Sequence, residues 1–177
     1  MEVRPIAAVA AVTLLVLGST ASGAAAGGRA LEGAGAGSHY SLGFETFVAG
    51  KGYWFNCPPL TNVSSVPVDV LGAEILGAPA HWRTGEVRAV DFGDDPVALG
   101  AVDATFDTEP LMRNDRSKSP VRIAPGERST VHYMVRVEAR SASGAGAAEG
   151  CRFTYRSGHR VYVEELGANL YLGPPPR

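Results

Sequence analysis

The sequence predicts an all-β fold of the β-sandwich kind, and three observations predict it. Residues 129–139 alternate without a break, with Val131, Tyr133, Val135, Val137 and Ala139 on one side and Thr130, His132, Met134, Arg136 and Glu138 on the other. A period of two held over that length reads as a long, half-buried strand. Shorter apolar segments recur between Gly, Pro and Asn turns, for a tally of seven to nine strands. No convincing helical period follows residue 30.

The N-terminal residues stand apart. Arg4 precedes an apolar run from Ile6 to Leu17, and small residues follow to Ala26. A short positive start, an apolar run and a small-residue exit describe a secretory signal peptide, with Ser19-Thr20-Ala21 and Ala24-Ala25-Ala26 as cleavage sites. The same residues, counted to Ala26, also serve as an uncleaved membrane anchor. Residues 1–26 are therefore read as signal peptide or anchor, residues 27–38 as a flexible Gly/Ala-rich leader, and residues 39–177 as the β-sandwich domain. Either reading of the first segment puts that domain outside the cytoplasm, secreted or held at the membrane only through its N-terminal segment.

In chain order, Tyr40 to Val48 alternates as a first strand, and Gly50-Lys51-Gly52 turns it. Tyr53, Phe55 and Cys57 share one face of a second strand, with Trp54 and Asn56 on the other; Pro58-Pro59 interrupts its ladder. Asn62, Ser64 and Ser65 form a turn, after which Val66, Val68 and Val70 alternate with Pro67 and Asp69, and Ala73 to Leu76 extends that strand. Residues 77–85 are a loop. Val87 to Phe92 and Val97 to Phe106 are further strands on either side of the acidic turn Asp91–Pro96. Residues 107–120 are polar and irregular. Pro125-Gly126 sets a turn, because Pro presets φ and Gly accepts a positive one, and it delivers the chain into the long strand. Residues 141–150, rich in Ser, Gly and Ala, read as a mobile loop. Cys151, Phe153 and Tyr155 then share a face, Ser157-Gly158 is a hairpin tip, and Val161 to Leu172 returns before Pro174-Pro175-Pro176 stops the pairing.

Cys57 and Cys151 are the two cysteines, 94 positions apart. An even count in an exported chain favours a disulfide, and closing so long a loop contributes about 4–5 kcal/mol by chain entropy. Two free thiols or two metal ligands are the weaker alternative, since there is no Cys-x-x-Cys.

The motifs Asn62-Val63-Ser64-Ser65-Val66-Pro67-Val68 and Pro125-Gly126-Glu127, with the export segment, resemble those of uncharacterised exported actinobacterial proteins that carry an immunoglobulin-like domain. The resemblance covers roughly residues 40–172 and implies an immunoglobulin-like β-sandwich; it brings no activity with it. One departure stands out: antibody-type domains pack a Trp on the inter-sheet disulfide, whereas Trp54 alternates out of phase with Cys57.

Chemistry is sparse. The net charge of -2 and the absence of a Lys/Arg run exclude a nucleic-acid partner. There is no Gly-x-Ser-x-Gly, no His-Glu-x-x-His and no phosphate-binding Gly loop, and Glu164 and Glu165 point to opposite faces of a strand. The expected protein is thus a non-enzymatic module that binds an unidentified protein or ligand at the cell envelope, or plays a structural part there, without a cofactor. The alternative is copper. His132 and Met134 share a strand face, Met112 lies upstream and His81 sits in a loop, and imidazole with thioether suits Cu(I). This set is similar to that of exported copper chaperones, which place His-x-Met after a Pro-Gly turn but carry more Met than the three here. Asp91, Asp94 and Asp95 offer oxygen ligands for calcium, although such turns form for backbone reasons alone. Trp54 and Trp82, with Tyr53 and Tyr162, make either a stacking surface or part of the core.

Overall fold

The structure is a computed structural model, and it describes residues 26–33, 40–93 and 101–175. Residues 1–25, on which the signal-or-anchor expectation falls, and residues 34–39, 94–100 and 176–177 lie outside the described residues. The strands in chain order are β1 (Ala26–Gly27), β2 (Leu31–Gly33), β3 (Ser41–Phe44), β4 (Gly52–Asn56), β5 (Leu60–Asn62), β6 (Val68–Leu76), β7 (Trp82–Asp91), β8 (Ala101–Asp103), β9 (Val121–Ile123), β10 (Val131–Ala139), β11 (Gly146–Ser157) and β12 (Arg160–Leu172). Two 3-10 helices, Ala104–Thr108 and Pro110–Arg113, follow β8.

The strands form two main sheets. One runs β1-β12-β11-β6-β9, with β3 also on the outer edge of β12; the other runs β7-β10-β4-β8; β2 and β5 pair separately. The main core draws on both sheets: Val131, Tyr133, Val135 and Val137 of β10 meet Val68, Val70, Phe153, Tyr155, Leu170 and Leu172. Tyr133 meets Phe153 edge to face at 5.7 Å, an arrangement aromatic quadrupoles favour. Cys57, just past β4, bonds Cys151 of β11 across this core, with Cα atoms 5.8 Å apart and both residues buried. The architecture is all-β and consistent with a β-sandwich. Twelve strand segments exceed the expected seven to nine because five of them span three residues or fewer, too short to show alternation in the sequence.

Local turn chemistry acts as expected. Ala124 to Glu127 closes a turn with Gly126 at φ 73° and Glu127 N donating to Ala124 O at 3.1 Å. The β11–β12 hairpin turns at Gly158 and His159, with Ser157 opposite Arg160. Asn62 is buried, and its amide donates to Val66 O and Ile123 O while its oxygen accepts from Ser64 N and Oγ. That arrangement satisfies the turn that the sequence placed here.

Three expectations are corrected. Residues 27–33 are not a flexible leader: Ala26 and Gly27 pair in parallel with Tyr162 and Val163, and Leu31–Gly33 pairs with Asn62–Leu60. The lack of local signal is offset by distant partners, because Glu164 accepts the N–H groups of Ala30 and Leu31, and Tyr155 Oη accepts that of Ala30. Residues 146–150 are not loop but the start of β11, paired with β12, where Ala148 is buried. Between Val97 and Phe106 the described strand is only Ala101–Asp103, because Asp103 Oδ1 accepts Thr105 N at 3.0 Å and starts a 3-10 turn. In addition β7 begins at Trp82, inside the stretch read as loop.

Candidate functional site

β10 lies between β7 and β4, so both of its edges are paired. Its Val and Tyr side chains enter the main core. His132, Met134 and Arg136 face away, beside Val90 and Arg88 of β7 and Asn56 and Trp54 of β4. The 3-10 helices fold over this outer face and drop Met112 onto it. Trp54, Val90, Phe92, Met112 and Met134 make a second, smaller core, with Phe106 and Leu111 packed against it. Trp54 Nε1 donates to Asp107 at 2.5 Å, and the Arg88 guanidinium lies 4.9 Å from the Trp54 ring centroid, within cation–π reach.

His132 sits half-buried at the rim of this cluster. Its ring meets Phe92 edge to face at 5.1 Å, and Asn56 Nδ2 lies 3.0 Å from its Nδ1. An amide nitrogen only donates, so Nδ1 accepts and the neutral ring carries its proton on Nε2. Burial, and secondarily the Arg128 charge, holds the imidazole below its ordinary pKa. His132 is therefore neutral at pH 7. A soft metal at Nε2 would require that proton to leave.

The structure brings together three of the four proposed copper ligands. Met134 and Met112 share the buried cluster, and His132 borders it. His81 is not with them. It precedes Trp82, which opposes Ala139 at the far end of β10, whereas His132 opposes Val90. There His81 Nε2 lies 3.2 Å from Ala145 O. Spacing along the chain carries no measure of that separation. Among the described residues no group of three or more His, Cys, Asp or Glu converges.

The remaining candidates are placed as follows. Cys57 and Cys151 form the disulfide. Asp91 is engaged by Arg116 at 2.7 Å and by Thr130 and Gly93 N, while Asp94 and Asp95 lie outside the described residues. Trp54, Trp82 and Tyr53 are core residues, and Tyr162 is half-buried, stacked on Tyr155 at 5.5 Å. Glu164 and Glu165 do part: Glu164 holds the N-terminal segment, and Glu165 pairs with Arg152 at 2.8 Å.

Sequence reasoning missed the cover over β10, formed by Phe92, Phe106, Leu111 and Met112. The available signal was Trp54, a large apolar residue out of phase with its own strand, which needed a second apolar layer to receive it. It also missed a cleft of about 600 Å³ on the open flank between β9 and β10, lined by Asp91, Arg116, Lys118, Arg122, Glu127 and Thr130 among others. Its acids are engaged internally, Asp91 by Arg116, Asp115 by Ala89 N and Glu127 by Ala124 N.

No family model matches the chain, and neither a curated protein nor a solved structure matches it.

Proposed function

We propose that the chain is an exported, non-enzymatic module with an immunoglobulin-like domain, acting outside the cytoplasm at the cell envelope by binding a protein or ligand or as a structural element. The observation that carries this reading is the buried Cys57–Cys151 bond between the two main sheets. Such bonds persist in oxidising compartments and are rare where thiols are kept reduced. The export segment read from residues 1–26 agrees with it. The absence of catalytic motifs supports a non-enzymatic role, and the inter-sheet position of the disulfide supports the immunoglobulin-like type. The domain departs from antibody-type domains at Trp54, which packs in the outer cluster rather than on the disulfide.

Cell fractionation tests the proposal. The intact chain is expected outside the cytoplasm with its thiols blocked, and a chain lacking residues 1–26 is expected in the cytoplasm with reduced thiols. A cytoplasmic location for the intact chain, or a hydrolytic activity abolished by changing one polar residue, would overturn it.

The gathering of Met112, Met134 and His132 at one cluster favours one second reading, Cu(I) binding outside the cytoplasm. Titration with Cu(I) under ascorbate decides it. This reading expects His132→Ala and Met134→Leu to weaken binding at least tenfold relative to the unaltered chain; equal binding by all three ends it.

A further inference from the structure

β1 fixes where the chain leaves the domain. It runs parallel to β12, with Ala26 opposite Tyr162 and Gly27 opposite Val163. Moving upstream along β1 therefore leads toward Arg160, the first residue of β12, and off the sheet at the β11–β12 hairpin tip. The attachment is tight. Gly28 N donates to Val163 O at 2.9 Å, and Glu164 accepts from Ala30 N at 3.0 Å and Leu31 N at 2.9 Å. The chain is thus fixed to the body from Ala26 onward.

Other exposed groups meet at the same end. Asp69 of β6 opposes Arg156 and Val68 opposes Ile123, so the 63–67 loop and the Pro125-Gly126 turn lie beside the hairpin tip. Val63 is 50% exposed, Val66 49% and Val161 42%. They are three of the five large apolar side chains exposed among the described residues. Val48 is at the opposite end, near Ala139, and Leu71 is on the flank. Arg29, Arg156 and Arg160 are exposed here too. Arg156 shares Asp69 with Arg122, while Arg29 and Arg160 are in no ion pair among the described residues. Glu164 and Glu127 are turned to backbone N–H groups.

We propose that this end of the domain lies against a bilayer bearing anionic headgroups, in the form of the protein that retains residues 1–25. Val63, Val66 and Val161 enter the interfacial layer, and Arg29, Arg156 and Arg160 meet headgroup phosphates. By length, the apolar and small residues from Ile6 to Ala25 suffice for about 30 Å of helix, the thickness of the hydrocarbon core. Because the described chain is paired from Ala26, an anchor of that length would hold this end of the domain close to the surface. The proposal rests on the anchored form of the envelope reading, and on the placement of these residues at one end.

The test uses the full chain, with labelled Val methyl groups, in nanodiscs of phosphatidylcholine and phosphatidylglycerol containing a headgroup-nitroxide lipid. Val63, Val66 and Val161 signals are expected to broaden at least about twofold more than Val48, and the exposed-site variant Arg29→Glu/Arg160→Glu is expected to lose that contrast. A chain that enters the discs but broadens evenly, or most at Val48, overturns the membrane-facing surface and leaves the anchor standing. A chain that does not enter the discs overturns both. Sharp signals at this end together with its cross-linking to another envelope protein assign the surface to a protein partner and overturn the proposal.

Discussion

Asn62 Nδ2 donates to the carbonyl of Ile123 at 3.1 Å, tying the β5–β6 turn to the end of β9. The same side chain is also bonded to Val66 O and to Ser64 N, inside a site with no water contact of its own. Asn62→Ala removes these bonds, including the one to the buried Ile123 carbonyl. A loss of about 2–4 kcal/mol is expected, measured by urea unfolding with an unchanged m-value. A loss under about 0.5 kcal/mol would show that the turn does not depend on this amide.

The disulfide closes a separation of 94 residues between facing sheets. Cys57→Ala/Cys151→Ala is expected to lower stability by about 2–5 kcal/mol. Calorimetry of the variant against the oxidised protein measures it. Reduction of the unaltered protein with a phosphine is expected to reproduce the same loss.

His132 carries a pH signature. Its folded-state pKa lies below the ordinary 6.5 through burial, so the unfolded chain binds the proton more readily. The stability linked to His132 is therefore complete above about pH 6.5 and is lost as pH falls from there through the depressed value. Melting temperatures measured between pH 7 and pH 5 are expected to fall, and His132→Gln is expected to flatten that slope. A slope unchanged by the substitution contradicts the assignment.

Gly28 lies against Tyr155, and a Cβ there would come 2.0 Å from the phenol oxygen. Tyr155 is buried and stacked on Tyr162, so it cannot move aside. Gly28→Ala is expected to cost about 1–3 kcal/mol and to speed amide exchange at Ala30 and Leu31. Exchange that stays slow at those two amides would mean that the N-terminal segment is held elsewhere.

Signals that are local were legible in the sequence. The alternation of β10, the Pro125-Gly126 turn, the Asn62 turn and the Gly158 hairpin each depend on a few neighbouring residues, and each is found where the pattern placed it. β1 and β2 were not legible. Gly and Ala give no alternation there, and the groups that hold them, Tyr155 and Glu164, lie more than a hundred positions away. Residues 146–150 failed for a related reason: Gly146 fits beside Pro79 and His81 and Gly150 against the Leu166 carbonyl, yet in sequence these small residues look like a loop. At the site, alternation placed His132 and Met134 on one face. It did not place Met112, which arrives on a four-residue helix, nor separate His81, because position along the chain carries no distance.

The proposal of an extracytoplasmic domain whose two sheets are joined through sulfur is checked by thiol titration of untreated protein under denaturing conditions. No free thiol is expected, with mass spectrometry of the digest recovering the peptide of Cys57 bonded to that of Cys151. Two titratable thiols in protein isolated from the cell envelope would contradict the account.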